Sequence, residues 1–237
     1  MRALQAADPW GVDHLTIIQA PEPRPGPGEV LVRMKAVSLN YRDLLMINGM
    51  YSRGSATGGS VTPFSDGCGM IEAVGEGVTR VKVGDRVATL FFQGWLSGPP
   101  TLEKAMTALG SPIPGAGREL AVFSQEGVSK VPDFLTDQQV ATLPCAALTA
   151  WRALFEDADL SPGDTVVLQG TGGVSIFGLQ FAKAAGLRAL ITSSSDEKLA
   201  RAKALGADHL VNYRQTPEWS KPVREATGGV GADFIME

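Results

Sequence analysis

A glycine-rich turn is the feature of this chain whose residue types and spacing point most directly to chemistry. An apolar, β-branched run at 165–168 stops just before the turn, and a helical pattern follows it as far as Gly186. In such a unit, backbone N–H groups and the positive end of the helix dipole face an anion, and missing Cβ atoms let a pyrophosphate approach. We therefore predict a dinucleotide-phosphate site. Its residues are Gly170, Thr171, Gly172, Gly173 and Val174.

The sequence after the turn alternates between strand and helix patterns. Apolar runs at 188–192, 209–213 and 232–236 are of strand type, and helical patterns lie between them, the second at 216–227. Ser194 begins an S-x-x-E capping box ahead of the first of these helices. The alternation predicts an α/β fold with a parallel sheet, right-handed crossovers and a ligand at the carboxyl ends of the strands. An α/β domain without a nucleotide is the alternative.

The end of the second strand indicates which dinucleotide binds. An NAD site usually has an acidic residue about 20 residues past the first glycine of the turn. Here hydroxyl side chains, among them Ser193 and Ser194, take that place, and the first acid, Asp196, already lies in the helix. Hydroxyls remove a repulsive carboxylate and can donate to a 2′-phosphate, while Lys198 can supply a positive charge. We predict NADP(H) rather than NAD(H); alternatively, the serines only cap the helix.

The composition argues against several classes of function. The chain has 237 residues, 44% hydrophobic and 19% charged, with a net charge of −4. This balance argues against nucleic acid as the main partner, because phosphate binding needs clustered Lys and Arg. We also expect no membrane association, since no apolar run approaches a membrane span and the N-terminus lacks the apolar core of a signal peptide. Cys68 and Cys145 make no disulfide framework and favour a cytoplasmic location.

The N-terminal half has a different pattern. Short strand-type segments alternate with Gly/Pro turns, which predicts a small, partly open β-barrel. A mostly apolar helical pattern at 136–155 is expected to connect the barrel to the α/β domain. The glycine-rich segment at 94–117 is predicted to be a long surface loop. The predicted strands lie at 29–38, 69–74, 85–90 and 119–123.

Three further motifs occur in order ahead of the glycine turn. They are Glu-Ala-Val-Gly-Glu-Gly-Val at 72–78, Val-Gly-Asp-Arg-Val at 83–87 and Leu-Pro-Cys-Ala-Ala-Leu-Thr-Ala-Trp at 143–151. In this order they resemble the medium-chain dehydrogenase/reductase superfamily, in which a chaperonin-10-like β-barrel catalytic domain precedes a Rossmann domain. The resemblance runs over essentially the whole chain. It implies a catalytic domain at 1–150 and an incomplete NAD(P)-binding Rossmann domain at 151–237.

The segment Val-Ser-Leu-Asn-Tyr-Arg-Asp at 37–43, together with Tyr51, looks like the zinc-independent, quinone-oxidoreductase-like branch of that superfamily. The resemblance places the catalytic zinc ligands of other members at Asn40, Ser65 and Cys145 of this chain. One thiolate without a second soft or imidazole ligand does not make a stable catalytic zinc site. The long glycine-rich loop also lacks the closely spaced cysteines of the superfamily's second zinc site. We expect no zinc.

Without a metal, the resemblance implies hydride transfer between nicotinamide and an activated carbon of a small quinone, enone, carbonyl or alcohol substrate. It implies that Asn40 and Tyr51 face nicotinamide and substrate as catalytic residues, with Tyr51 as the candidate donor to a developing enolate oxygen. It also implies that Thr149 lies near the nicotinamide and Tyr213 beside the adenosine phosphate. Two alternatives stay open: Asn40 as a structural cap of the following turn, and Tyr51 as a rim aromatic that stacks on a planar substrate.

The sequence stops at Glu237, at the end of the fourth strand of the predicted parallel sheet, beside the first strand. Because the usual Rossmann fold has six strands, we expect a fragment of a longer enzyme, homodimeric in its full-length form, rather than a degenerate, inactive paralogue. Two other functions stay open. One is a non-catalytic dinucleotide-binding module that senses redox state or binds a protein partner. The other is a zinc-dependent alcohol dehydrogenase.

Overall fold

The chain divides into two compact units. The computed structural model describes residues 1–50 and 60–237, and the units are Met1–Cys145 and Ala146–Glu237. Antiparallel sheets form the first unit, and a parallel sheet forms the second. This confirms the predicted order of a β-rich unit ahead of an α/β unit.

The first unit contains two antiparallel sheets. The strands of its described residues are β1 (Arg2–Ala7), β2 (Thr16–Gln19), β3 (Glu29–Ser38), β4 (Ser60–Val61), β5 (Asp66–Val74), β6 (Arg86–Thr89), β7 (Leu120–Ser124) and β8 (Val128–Lys130). The larger sheet has the order β7-β3-β5-β6-β8, and the smaller one has the order β2-β1-β4. The four strands predicted from sequence correspond to β3, β5, β6 and β7.

The core of the first unit follows from the alternation of residues along its strands. Val30 and Val32, two apart on β3, both face inward and are almost fully buried. Ile71, Val87 and Phe123 join them from the neighbouring strands. Successive side chains of a strand point to opposite faces. An apolar residue at every second position of each strand is therefore enough to build this core.

The segment at 94–117 differs from the predicted surface loop. It contains a short helix, α2 (Leu102–Ala105), and its later part is buried, with Leu109 only 1% exposed and Ala116 fully covered. The guanidinium of Arg42 donates to the carbonyl oxygens of Leu109 and Ser111, at 3.0 and 2.6 Å. These hydrogen bonds tie the loop to the helix α1 (Tyr41–Ile47). A glycine-rich sequence does not reveal such an anchor, because the anchoring residue lies about 70 positions earlier.

The helical pattern predicted at 136–155 is interrupted. It forms α3 (Asp137–Ala141), a π-helical turn (Leu143–Ala147) and α4 (Leu148–Phe155). The bend in the pattern falls where Pro144 removes a backbone donor from the helix.

The second unit is a four-stranded parallel sheet with helices. Its strands are β9 (Thr165–Leu168), β10 (Arg188–Ser193), β11 (His209–Asn212) and β12 (Phe234–Met236), in the order β11-β10-β9-β12. Its further helices are α5 (Gly173–Ala184), α6 (Asp196–Ala204) and α7 (Ser220–Ala226). The predicted parallel sheet is confirmed, as is the pairing of the fourth strand with the first. The last helix begins at Ser220, later than the predicted 216.

The central strands β9 and β10 are buried on both faces. Leu168 and Ile191 belong to the apolar cluster that includes α5 and α6, whereas Val167 and Leu190 pack with Val223 of α7. A parallel sheet covered on both faces has continuous apolar strands rather than alternating ones. The fully apolar run at the end of β9 is therefore what positions the glycine turn that follows it.

Within the described residues, no helix combines the length and the apolar character needed to cross a membrane.

We expect Leu190→Ala to lower the free energy of unfolding of the second unit by about 2–5 kcal/mol, because it opens a cavity in a fully buried part of the sheet. Ile235→Ala is the matched control: the side chain lies on the outer strand β12 and is 49% exposed, so its loss should cost less than about 1 kcal/mol. Chemical denaturation followed by circular dichroism measures both. Equal losses would contradict the assignment of Leu190 to the core.

Candidate active site

The turn between β9 and α5 leaves the N-terminus of α5 open. Gly170 has a φ of +77°, a conformation that favours glycine. Its N–H donates to Thr192 Oγ1 at 3.1 Å, and the Ser175 hydroxyl donates to the carbonyl of Gln169 at 2.7 Å. These bonds tie the turn to β10 and to α5. The N–H groups in the first turn of a helix have no intrahelical acceptor, so together with the dipole they favour an anion there.

The next two glycines keep the space in front of this helix end empty. A Cβ added at Gly172 would meet no heavy atom within 4 Å, and one added at Gly173 would only touch the Ala146 Cβ at 3.5 Å. Gly172 has an ordinary extended backbone with φ −78°. Neither conformation nor protein packing therefore requires glycine at 172. A ligand that comes close to the backbone does explain it. The negative charge of a dinucleotide pyrophosphate matches the positive end of the α5 dipole.

The serines at the end of β10 are not equivalent. Ser193 is buried, and its Oγ lies 3.1 Å from the Thr171 Oγ1. Ser195, and not Ser194 as predicted, is the N-cap of α6, because its Oγ accepts the N–H of Lys198 at 3.4 Å. The reason is that β10 extends to Ser193, which pairs with Asn212 of β11, so that the helix starts one residue later. Ser194 is left half-buried beside the turn.

The nearest acidic residue is engaged elsewhere. Asp196 accepts hydrogen bonds from the side-chain amides of Asn212 at 2.7 Å and Gln215 at 2.8 Å, one on each oxygen. Both donors lie at the end of β11. This acid is thus held by protein donors, whereas an NAD-type acid has to accept from the ribose hydroxyls.

A cavity of roughly 170 Å³ lies beside the turn, between the start of α5 and the exposed side of α6. Lys198, which sequence reasoning assigned to the cofactor, is exposed there together with Arg201, which it missed. The spacing of three residues was the available signal, since it places both side chains on one face of a helix. The lining residues are Thr171, Ile176, Lys198, Arg201 and Leu205.

The remaining predicted cofactor residues lie at three different places of the second unit. Tyr213 follows β11, its N–H donates to the carbonyl of Ser193 at 3.1 Å, and its side chain is 41% exposed. Val174 is half-buried in the first turn of α5, next to the open helix end, and Thr149 is exposed on α4. The structure thus brings Tyr213 to the end of β10.

The first unit brings together the positions where the resemblance places zinc ligands. Asn40 is the N-cap of α1, and its amide Nδ2 lies 3.5 Å from the Ser65 Oγ. The Ser65 hydroxyl donates to Asp66 Oδ1 at 2.6 Å, and the backbone N–H of Cys145 donates to Asp66 Oδ2 at 3.0 Å. The Asp66 carboxylate is therefore bound by two neutral donors, a hydroxyl and a backbone N–H. A zinc site usually has three protein ligands from His, Cys and acidic side chains, which this donor set does not match.

Two carboxyl groups in this cluster are buried. Burial raises the pKa of Asp66, although hydrogen bonds from Ser65, Asn40 and Cys145 act in the opposite direction. Burial likewise raises the pKa of Asp43, whose Oδ2 accepts the N–H of Asn40 at 2.7 Å. The charge of Asp66 adds to the raised pKa of Asp43, whereas the charge of Arg42 acts in the opposite direction on both carboxyl groups. Asn40 is thus held from both sides, through its backbone by Asp43 and through its side chain by the Ser65–Asp66 pair.

Tyr51, the second predicted catalytic residue, lies outside the described residues. In residues 1–50 and 60–237, no group of three or more His, Cys, Asp or Glu side chains is arranged to hold a metal ion.

An antiparallel β unit followed by a parallel sheet with a glycine turn after its first strand is the architecture of a dinucleotide-binding dehydrogenase. Residues 26–133 match the family model for the alcohol dehydrogenase GroES-like domain, and residues 173–237 match the one for zinc-binding dehydrogenase. The chain belongs to the medium-chain dehydrogenase/reductase superfamily, which confirms the resemblance seen in its motifs.

Relatives from several organisms are similar over nearly the whole chain. A zinc-type alcohol dehydrogenase-like protein of Schizosaccharomyces pombe is 47% identical over 213 residues, which cover 89% of this chain and 61% of the relative. A Sinorhizobium meliloti structure, described provisionally as an alcohol dehydrogenase, has a TM-score of 0.87 and 43% identity and covers 100% of this chain. A quinone oxidoreductase of Pseudomonas syringae has a TM-score of 0.80 and 31% identity at 99% coverage. The chain spans 70% and 65% of these two structures.

The cofactors named for similar structures differ. A structure described as an NAD-dependent alcohol dehydrogenase is 35% identical, with a TM-score of 0.88. The match covers 99% of this chain and 70% of the chain of that structure. A mycobacterial protein solved with NADPH is 30% identical, with a TM-score of 0.79, and covers 99% and 66%. Both are nicotinamide dinucleotides, so the choice between them has to rest on the residues of this chain.

We expect Asp66→Asn to gain stability relative to the wild type as the pH rises. The folded-state pKa of Asp66 is raised, so its contribution to stability is fully present below its unfolded pKa and is lost as the pH rises through the folded pKa. Asparagine does not titrate. The difference in unfolding free energy between variant and wild type should therefore increase from about pH 4 upwards, as urea denaturation at several pH values can measure. A difference that stays flat or falls would contradict a raised pKa.

We expect Gly172→Ala to leave the fold intact and to weaken the binding of a nicotinamide dinucleotide at least about tenfold, because the added methyl group occupies space that the pyrophosphate needs. Unfolding free energy should change by less than about 0.5 kcal/mol, since no protein atom lies within 4 Å of the new Cβ. Titration of cofactor fluorescence measures the affinity. Gly163→Ala is the control. It lies at the turn before β9 and strains the backbone (φ +99°) without adding an atom in front of the N-terminus of α5, so it should lower stability but not cofactor affinity. Unchanged affinity in Gly172→Ala would show that no phosphate lies there.

Proposed function

We propose that this protein is an NADP(H)-dependent oxidoreductase that transfers a hydride between nicotinamide and a small quinone, enone or other carbonyl or alcohol substrate, without zinc. The observation that carries the proposal is the open N-terminus of α5 behind three glycines, next to a strand end that offers hydroxyl groups and a lysine. Residues 1–150 would form the catalytic domain and residues 151–237 part of the NAD(P)-binding domain. The membership in a superfamily of dehydrogenases and reductases supports the reaction class.

The preference for NADP(H) over NAD(H) rests on the end of β10. Ser193 and Ser194 take the sequence position where an NAD site has an acidic residue that accepts a hydrogen bond from the ribose 2′-hydroxyl. The next acid, Asp196, already accepts hydrogen bonds from two side-chain amides of the protein. Lys198 on the exposed side of α6 provides a positive charge near Thr171. A 2′-phosphate needs such donors and cations, whereas a carboxylate in this place would repel it. Tyr213, whose backbone is bonded to Ser193, is proposed to flank the adenosine phosphate.

Catalysis without zinc rests on the cluster around Asn40. The groups that gather there are an amide, a hydroxyl and a buried carboxylate already bound by Ser65 and the Cys145 backbone. They can donate and accept hydrogen bonds, and at the three positions Asn40, Ser65 and Cys145 the thiol of Cys145 has no second soft or imidazole ligand to complete a catalytic zinc site.

The bound cofactor supplies or accepts the hydride, and the protein has to position it and stabilise charge. We propose that the Asn40 amide orients a carbonyl oxygen or the cofactor, because an amide donates without ionising. Tyr51 is proposed to donate a hydrogen bond or a proton to the developing enolate oxygen, and Thr149 to lie near the nicotinamide. The cysteines Cys68 and Cys145 are both free, in keeping with the cytoplasmic location that we propose together with a homodimeric full-length form.

The protein encoded by the full reading frame should oxidise NADPH with a quinone or an enone and should contain less than stoichiometric zinc. Asn40→Ala should lower kcat/KM by about 10²–10³-fold, the range seen when one stabilising donor is lost, and leave the affinity for NADPH nearly unchanged. Asn48→Ala, an exposed residue at the other end of α1, is the matched control and should keep full activity. Absorbance at the NADPH band and metal analysis by mass spectrometry give the two readouts.

Each outcome against the proposal is distinct. Binding of NADPH without turnover of any carbonyl, alkene or alcohol would favour the non-catalytic module. Stoichiometric zinc that is needed for turnover would favour a zinc-dependent alcohol dehydrogenase. A clear preference for NADH would overturn the cofactor assignment alone.

A further inference from the structure

Two positively charged side chains share the cavity next to the glycine turn. Lys198 and Arg201 are three residues apart on α6, so they lie on the same helix face, and both line the cavity together with Thr171. Both residues are exposed. The cavity reaches the glycine turn at Thr171, and the Thr171 Oγ1 lies 3.1 Å from the Oγ of Ser193 at the end of β10.

No carboxylate of the described residues forms an ion pair with either cation. The ion pairs in the second unit involve other lysines and arginines. Glu197 stands four residues before Arg201, a spacing that permits pairing. However, the Glu197 carboxylate does not lie within ion-pair distance of the Arg201 guanidinium. Asp196 is held by amide donors at the end of β11. Like charges one turn apart on a helix repel each other, and an anion between them would remove this repulsion.

We propose that Arg201 is a specificity-determining residue that binds the 2′-phosphate of NADP(H) together with Lys198. This inference rests on the proposed function and adds a residue to it. A guanidinium can offer two parallel N–H donors to two phosphate oxygens, whereas an ammonium acts as a point charge. Lys198 therefore contributes positive charge, and Arg201 contributes charge and two directed hydrogen bonds. The ribose lies beside the end of the second strand in folds of this kind, and Thr171, which lines the cavity, contacts Ser193 at that strand end.

The location also explains why Arg201 would recognise only the 2′-phosphate. The pyrophosphate belongs at the open N-terminus of α5, in front of Gly172 and Gly173. Arg201 lies more than one helical turn into α6 and lines a cavity to which neither Gly172 nor Gly173 contributes. Loss of its side chain should therefore weaken ligands that carry a 2′-phosphate and spare ligands that lack one.

The test compares ligands that differ only in the 2′-phosphate. Dissociation constants of the full chain for NADPH and NADH, and for 2′,5′-ADP and 5′-AMP, are measured by calorimetry or fluorescence with wild type and Arg201→Met. We expect about tenfold or more weaker binding of NADPH and 2′,5′-ADP, as for loss of a charged hydrogen bond, and less than about twofold change for NADH and 5′-AMP. Arg201→Lys should restore part of the affinity. Lys221→Met, which removes one positive charge on α7, is the control for net charge and should change none of the four.

The possible failures can be told apart. If wild type binds NADPH no better than NADH, the NADP(H) assignment falls, and the role of Arg201 falls with it. If wild type prefers NADPH and Arg201→Met keeps that preference, only the role of Arg201 is overturned. An equal loss for ligands with and without the 2′-phosphate would also overturn it, because the side chain would then act through the adenosine or through the fold.

Discussion

The positive N-terminus of α5 is open to an anion because Gly172 and Gly173 place no side chain in front of its first turn. Gly172 has an ordinary backbone conformation and empty surroundings, so a side chain is missing where the protein itself has room for one. Neighbouring elements of the second unit hold the glycine turn in place. The buried strand β9 delivers the chain to the turn, Thr192 of β10 binds the N–H of Gly170, and Ser175 binds back to Gln169.

A buried carboxylate plays the corresponding organising role in the first unit. Asp66 is fully buried, and a carboxylate in that environment has to be hydrogen-bonded. Ser65 and the backbone of Cys145 supply the donors, which brings segments almost 80 residues apart in sequence to one point. Asn40 is held next to them by Asp43 at its backbone. In the first unit, a hydrogen-bond network thus occupies the positions where metal ligands would be expected in zinc-dependent relatives.

Local patterns predicted much of the fold and part of the site. The strands β3, β5, β6 and β7, the parallel sheet and the position of the glycine turn followed from periodicity, turn residues and glycine spacing. Two predictions were wrong for tertiary reasons. Ser194 fits the capping pattern by itself, but the pairing of Ser193 with Asn212 extends β10 and moves the cap to Ser195. The segment at 94–117 has the composition of a surface loop and its first part is exposed, but its later part is buried, and Arg42 of α1 donates to two of its carbonyl groups.

The sequence by itself predicted the class of fold and the glycine turn, and it carries Asn40 and Ser65 where the resemblance places zinc ligands, because each depends on residue types within a short stretch or on motif order. Only the tertiary structure decided which groups meet. It joined Ser193 to Thr171, turned Asp196 towards Asn212 and Gln215, and brought the helix face of Lys198 and Arg201 to a cavity shared with Thr171. These relations depend on strand register and on the packing of helices against the sheet, and such distances are not encoded in any local pattern.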